Sequence, residues 1–178
     1  MPTKEEVRAR RLAFRRSLRA TPEHKAALDK AVARNALRYL SEVVRDGVSA
    51  GNIAAYVPLP TEPGSAALLP ALRQTNRTVF LPVTLPEGQL AWTAGQDPAL
   101  FTSAVLRSCA AILAPAMAVD RRGVRMGKGG GYYDRALAGL TVPVAALVYD
   151  EDLVAHLPRE PHDVPVHAAI TPSGIITF

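Results

Sequence analysis

Ala110-Ala111-Ile112-Leu113-Ala114-Pro115-Ala116-Met117-Ala118-Val119 is apolar throughout, interrupted only by Pro115. Its first five residues show no polar alternation, so a strand made from them is apolar on both faces. A parallel strand covered by helices on each side requires this. The same character returns in Ile53 to Val57, Thr78 to Leu81 and Val144 to Tyr149, and more weakly in Ala168 to Thr171. Helical stretches separate the runs, and Pro58, Pro82, Pro115 and Pro143 sit at their ends, where a missing N–H costs no ladder bond. The expectation is an α/β fold with an open, mostly parallel sheet flanked by helices, and Gln89 to Thr93 as an extra or hairpin strand. Ligands in such sheets gather beyond the carboxyl ends of the strands, which directs attention to the loops after Val57, Leu81, Ala114 and Tyr149.

Upstream of the first run the pattern is helical. From Pro2 to about Arg19 nothing breaks a helix, and at 100° per residue Lys4, Arg8, Arg11, Arg15 and Arg19 fall within an arc of about 80°. Val7, Phe14 and Leu18 lie on an adjacent arc, so the helix can seat an apolar edge on the body and turn a basic stripe toward a cleft or toward solvent. Thr21-Pro22-Glu23 reads as a second helix start, with Thr21 as N-cap. That helix is expected to run to about Arg45 and to stop at Gly47.

The chain has 178 residues, enough for one domain with a real core, and a net charge of +5. Residues 1–19 hold seven basic and two acidic residues, which accounts for the whole excess; the other 159 residues carry 14 of each sign. The basic balance therefore reports one segment and not a basic surface, which argues against a general nucleic-acid binder. A charge run of this kind is by default a solvated helix face. At 48% apolar and 21% charged residues, the composition is that of a folded globular chain. Ten apolar residues in a row are too few to span a bilayer, which needs about 20. The single cysteine, Cys109, has no partner for a disulfide or a CxxC zinc site, and a reducing, cytoplasmic setting follows.

The stretch richest in chemistry is Val119-Asp120-Arg121-Arg122-Gly123-Val124-Arg125-Met126-Gly127-Lys128-Gly129-Gly130-Gly131-Tyr132-Tyr133-Asp134-Arg135. Its glycines let backbone N–H groups approach a ligand closely, and a helix beginning near Tyr132 would add its positive end. Arg125, Lys128 and Arg135 supply cations, and Asp134 supplies a carboxylate of the kind that holds Mg²⁺. Neither GxxxxGK[ST] nor GxGxxG fits the spacing, so the loop is a phosphate cradle of another kind. Asp163, before Pro165, and Glu62, after the first strand run, read as turn and loop residues until something pairs with them.

Taken together, these residues resemble the 5-formyltetrahydrofolate cyclo-ligase family, also called methenyltetrahydrofolate synthetases. The likeness is carried by Lys4-Glu5-Glu6-Val7-Arg8, by Ile53 to Val57 with Glu62, by Leu81-Pro82-Val83, by Asp120 with Gly123 to Arg135, and by His162-Asp163-Val164-Pro165-Val166 and Ile170-Thr171-Pro172. It implies one domain over 1–178, a fold of the type shared with sugar-phosphate isomerases and CoA transferases, and a requirement for ATP and Mg²⁺. It implies small-molecule partners, a folate and ATP, with no nucleic acid or membrane, and a monomer.

The resemblance also assigns residues. Lys4, Glu5, Glu6, Val7 and Arg8 from the basic helix of about 2–19, with Arg125, Met126, Gly127, Lys128, Gly129, Gly130, Gly131, Tyr132 and Tyr133, would contact ATP. Val57 and Glu62, with Lys128 to Tyr132, would hold the folate. Asp134 and Asp163 would hold Mg²⁺, and Arg125, Lys128 and Tyr132 would be the catalytic set. The family's reaction is phosphoryl transfer to a formyl oxygen, which asks for positioning and charge neutralisation more than for a nucleophile. One departure stands out: the family's Gly-Ile-Pro-Glu-Pro-like loop has no counterpart in Ala94-Gly95-Gln96-Asp97-Pro98-Ala99-Leu100-Phe101. A same-fold ATP-dependent enzyme with a changed second substrate is therefore one alternative, and a sugar-phosphate isomerase and a nucleic-acid binder led by the basic helix are two others. Trp92 is left between a ligand contact and the core.

Overall fold

The computed structural model describes residues 1–44, 51–96 and 98–178. Seven strands form the main sheet: β1 (Asn52–Ala54), β2 (Thr78–Thr84), β3 (Leu90–Ala94), β4 (Ala111–Pro115), β7 (Val144–Leu147), β9 (Ala168–Ile170) and β10 (Ile175–Thr177), in the order β10-β9-β7-β4-β1-β2-β3. The five from β9 to β2 run parallel, and the hairpin strands β3 and β10 close the two edges antiparallel. A second sheet of three short strands, in the order β6-β5-β8, is made by β5 (Ala118–Asp120), β6 (Arg125–Met126) and β8 (Leu153–Val154). The apolar runs thus become parallel strands, and Gln89 to Thr93 becomes the hairpin strand β3.

Burial explains why these runs carry no alternation. Ile53, Leu113, Ala145, Leu147, Ala168 and Ile170 face one core, against α2 (Pro22–Val43) and α3 (Ser65–Arg73). Their neighbours Ala54, Ile112, Ala114, Ala146 and Ala169 face a second core, which holds Trp92, Leu106 and Leu137 of α4 (Tyr132–Leu137). Successive strand residues point to opposite faces, and both faces are dry, so each position must be apolar.

Pro82 departs from the expected strand end: β2 continues through it to Thr84. Opposite it on β3, Trp92 exchanges both of its backbone hydrogen bonds with Phe101, so the pair Pro82–Trp92 needs no N–H from the proline. Pairing of β2 with β1 ends at Phe80, and beyond it the end of β2 lies open to a cleft.

The first helix, α1, spans Lys4–Ser17, and a 3₁₀ turn continues it to Ala20. Thr3 and Glu6 cap its start reciprocally. Val7 and Leu18 are buried and Phe14 packs edge-on against Tyr149, as the apolar arc requires. Thr21 stands at the N-cap of α2 without capping it, because its hydroxyl is turned to the Leu18 carbonyl. The expected stop at Gly47 lies outside the described residues. No helix among the described residues is long and apolar enough to cross a membrane.

Candidate active site

A cleft of about 420 Å³ opens where α1, the turn after β1, the ends of β2 and β4 and the glycine loop meet. All four loops singled out by strand polarity reach it; the connection after Tyr149 does so through Glu160, His162 and Asp163, while its first turn, Asp150–Asp152, lies off the cleft.

The basic stripe is divided along α1. Lys4 and Arg8 line the cleft: Lys4 Nζ pairs with Asp163 at 2.8 Å and Glu160 at 2.9 Å, and Arg8 Nε donates to the Gly127 carbonyl at 3.0 Å. Arg11 donates to the Glu151 carbonyl, and Arg15 is buried against Asp152 at 2.7 Å. Of the remaining residues of the Lys4–Arg8 segment, Glu5 and Glu6 are exposed and Val7 is packed beneath the helix; none of the three lines the cleft.

The glycine loop forms the opposite wall. Gly129 and Gly131 have φ of +111° and +69°, conformations that side-chain-bearing residues rarely adopt. No backbone N–H from Gly127 to Gly131 donates to a group of the described residues, so a row of donors is free for an anion. The helix that follows has only six residues, so the amides and cations, more than a helix dipole, set the potential here. Arg135 is turned away from the cleft: it lies over the Tyr132 ring and donates to the carbonyls of Gly88 and Gly130, tying the loop to the β2–β3 hairpin. Lys128 reaches across the cleft to Glu62, Nζ to Oε1 2.9 Å.

Arg125 is buried in the floor. Its guanidinium donates to the Pro115 carbonyl at 3.0 Å and to Asp134 at 3.2 Å and stands over the Tyr133 ring, while its Nε has no partner among the described residues. Burial, against the pull of Arg125, pushes the Tyr133 hydroxyl far above its ordinary value, so it stays a neutral donor. Tyr56, also on the cleft wall, behaves likewise because of burial and the nearby Glu62 charge.

Asp134 and Asp163 both line the cleft and offer the hard oxygen atoms that Mg²⁺ prefers. Oδ1 of Asp134 accepts from Arg125 and from the Val164 N–H; Oδ2 has no partner among the described residues. Oδ2 of Asp163 accepts from Lys4 and from the Glu160 N–H, and its Oδ1 lies 3.6 Å from His162 Nε2. Partial burial would raise the Asp163 carboxyl, but Lys4 and the Glu160 amide hold it below the ordinary value. Among the described residues each therefore keeps one carboxylate oxygen without a hydrogen bond, but the ligand atoms that converge within 4.8 Å belong to Glu160, His162 and Asp163, a group that does not include Asp134.

Sequence reasoning missed Tyr56, Met117, Glu160 and His162 as wall residues. Glu160 and His162 carried a signal, standing within three residues of Asp163 and offering, with it, ligand atoms within 4.8 Å of one another. Asp120, part of the resemblance, lies off the cleft and anchors a turn. Trp92 belongs to the core: it is fully buried, its indole N–H donates to Ser103, and it meets Tyr133 edge-on. None of the described residues of 94–101 lines the cleft, and Asp97 lies outside them.

A model of the 5-formyltetrahydrofolate cyclo-ligase family matches residues 1–172. A 5-formyltetrahydrofolate cyclo-ligase of Mycolicibacterium smegmatis is 34% identical over 89% of this chain and 99% of its own length. Among solved structures, a 5,10-methenyltetrahydrofolate synthetase from Mycoplasma pneumoniae superposes with a TM-score of 0.78 at 21% identity, covering 95% of this chain and 98% of that one. The Aquifex aeolicus 5,10-methenyltetrahydrofolate synthetase follows with 0.73, at 21% identity and with 98% and 92% coverage.

Proposed function

Because the chain belongs to the 5-formyltetrahydrofolate cyclo-ligase family, we propose that it closes 5-formyltetrahydrofolate to 5,10-methenyltetrahydrofolate at the expense of ATP, with Mg²⁺, releasing ADP and phosphate. The observation that carries this reading is convergence. Lys4 and Arg8 from the first helix, Glu62 from the turn after β1, and the glycine loop with Asp134 wall a single cleft although they span most of the sequence.

In the proposed reaction the formyl oxygen attacks the γ-phosphorus of ATP as the bond to the bridging oxygen breaks and ADP departs. N10 then adds to the activated formyl carbon, its proton passes to solvent, and phosphate leaves with the formyl oxygen. The chain contributes position and charge. Lys4, Arg8 and the free amides of Gly127 to Gly131 would bind the phosphates, with Arg125, Met126, Tyr132 and Tyr133 framing them. Glu62 would accept hydrogen bonds from the pterin N–H donors above Val57, and Lys128 would stand between the two ligands. Mg²⁺, held by Asp134 and Asp163, would neutralise phosphate charge. Glu5, Glu6 and Val7, off the cleft wall, narrow the nucleotide role of that segment to Lys4 and Arg8.

The test mixes protein, 5-formyltetrahydrofolate, Mg²⁺ and ATP and follows the near-ultraviolet absorbance of the methenyl product. Product that forms only with ATP is expected; none at micromolar enzyme would refute the reading. Asp134→Asn is expected to raise the Mg²⁺ concentration needed for half-maximal rate.

A further inference from the structure

Tyr149, just beyond β7, and the turn Asp150–Asp152 that follows it touch no part of the cleft, yet they bind the backs of two cleft walls. Tyr149 is fully buried, and its hydroxyl donates to Asp29 Oδ1 at 2.7 Å, with the Glu62 carbonyl as a second acceptor at 3.4 Å. Asp29, on α2, is 5% exposed; the same Oδ1 accepts from the Gly64 N–H at 3.1 Å, while Oδ2 pairs with Lys25. These contacts fall on Glu62 and Gly64, within and just after the turn whose side chain reaches the cleft. The turn closes on itself only between Leu59 and Glu62, through Leu59 N–H to Glu62 Oε2 at 2.7 Å and Glu62 N–H to the Leu59 carbonyl at 2.9 Å. Nothing in those two bonds fixes the turn relative to the sheet. A carboxylate in a dry core stabilises less than a well-packed apolar side chain would, so a buried Asp29 calls for a role beyond packing.

We propose that Asp29 and Tyr149 are positioning residues for folate binding: they hold the 59–64 turn, and with it the Glu62 carboxylate, at a fixed place over the cleft. The inference rests on the assignment of Glu62 to the folate made above. Tyr149 links the same device to the nucleotide wall, since its N–H donates to Asp152 Oδ2, the oxygen that receives Arg15 of α1.

The test compares Tyr149→Phe, Asp29→Ala and Asp29→Asn with the wild type. Removing the one hydroxyl in Tyr149→Phe is expected to raise KM for 5-formyltetrahydrofolate about three- to tenfold, the effect of one neutral hydrogen bond, with kcat and KM for ATP within about twofold. Asp29→Ala is expected to exceed that effect, and Asp29→Asn, which keeps an acceptor oxygen, to recover most of it. A double-mutant cycle supplies the readout that a merely structural role would not move. If Tyr149 acts through Glu62, the folate effect of Tyr149→Phe vanishes in a Glu62→Gln background. Equal rises in KM for both ligands, an unchanged folate KM with a lowered melting temperature, or full additivity with Glu62→Gln would each overturn the proposal. Hydrogen exchange separates this outcome from failure of the functional reading. Tyr149→Phe should speed exchange in a peptide covering 58–64 and leave one covering 127–133 unchanged, whether or not the protein turns over; equal protection of 58–64 in both proteins would refute the positioning role.

Discussion

Lys128 Nζ lies 2.9 Å from Glu62 Oε1, so the cation of the glycine loop is paired with the carboxylate assigned to the pterin. Glu62 Oε2 is already taken by the Leu59 N–H. Lys128 is more than half exposed, and a pair of that kind is worth about 0–1 kcal/mol, little enough for a ligand to displace. Phosphates bound at the glycine loop would draw Lys128 away and free the carboxylate. A non-hydrolysable ATP analogue is therefore expected to tighten 5-formyltetrahydrofolate binding, by up to about fivefold. Lys128→Met should lose that coupling and about a hundredfold in kcat. Calorimetric titration of the folate with and without analogue, in both proteins, is the check; equal tightening in the variant would disprove the exchange.

Glu62→Gln separates the two ligands. A neutral amide in place of the carboxylate keeps the turn-closing acceptor but loses the charge that strengthens hydrogen bonds from pterin donors. Folate affinity should fall about tenfold or more while ATP affinity stays within about twofold. A fall in ATP affinity of the same size would show that Glu62 is not a folate residue.

Arg125 illustrates what the sequence concealed. By charge alone it is a phosphate ligand whose loss would leave the fold intact. In the structure it is 4% exposed and joins the end of β4, through the Pro115 carbonyl, to Asp134 at the start of α4. Arg125→Ala leaves a cavity and an unneutralised carboxylate, at about 3 kcal/mol. That corresponds to a melting temperature lower by about 6–12 °C in a chain of this length. ATP affinity should fall as well, and Arg125→Lys, which keeps the charge without the two-headed geometry, should lie between. Melting of the alanine variant within two or so degrees of wild type would contradict this.

The sheet was legible because its signal is local: a strand buried on both faces must be apolar at every position, and Ala110 to Ala114 or Val144 to Leu147 announce this in four or five residues. The glycine loop was legible for a similar reason, since contiguous residues carry the backbone freedom and the charge together. What escaped are partnerships across long stretches of chain. Arg15 and Asp152 are 137 residues apart, Asp29 and Tyr149 are 120 apart, and each residue alone reads as an ordinary surface charge or core aromatic. The stripe on α1 was real, but helical periodicity cannot say which of its arginines meet a ligand and which meet the body.

Arg15 and Asp152 make a buried ion pair, with side chains 2% and 0% exposed. Burial pushes the Asp152 carboxyl up against the pull of Arg15, so the pair is balanced between desolvation and attraction. Arg15→Met removes the attraction and leaves the desolvation, and should destabilise the protein by about 3–5 kcal/mol in urea unfolding. Adding Asp152→Asn is expected to restore a substantial part, because no uncompensated charge then remains. A double variant no more stable than Arg15→Met would mean that the loss comes from packing around α1 instead.

Asp120 supplies a pH test. Its carboxylate accepts from the N–H groups of Arg122, Val124 and Leu157 and from the Arg122 guanidinium, closing the tight turn at Gly123. Gly123 has φ +77°, and a Cβ there would meet the Val166 carbonyl oxygen at 2.5 Å, so the turn has no alternative residue. Burial works to raise the Asp120 carboxyl, but the hydrogen bonds outweigh it and hold it below the ordinary carboxylate value. A depressed acid pKa contributes stability that is fully present above the unfolded value and is lost as pH falls through the folded one. Asp120→Asn cannot reproduce five acceptor bonds and should cost about 3 kcal/mol near neutral pH. The difference in unfolding free energy between the two proteins should stay flat from about pH 8 to pH 5 and shrink below about pH 4. Asp152 and Asp163, common to both proteins, cancel in that difference. A gap that stayed constant into the acid range would mean that the charge of Asp120 contributes nothing and that its shape alone holds the turn.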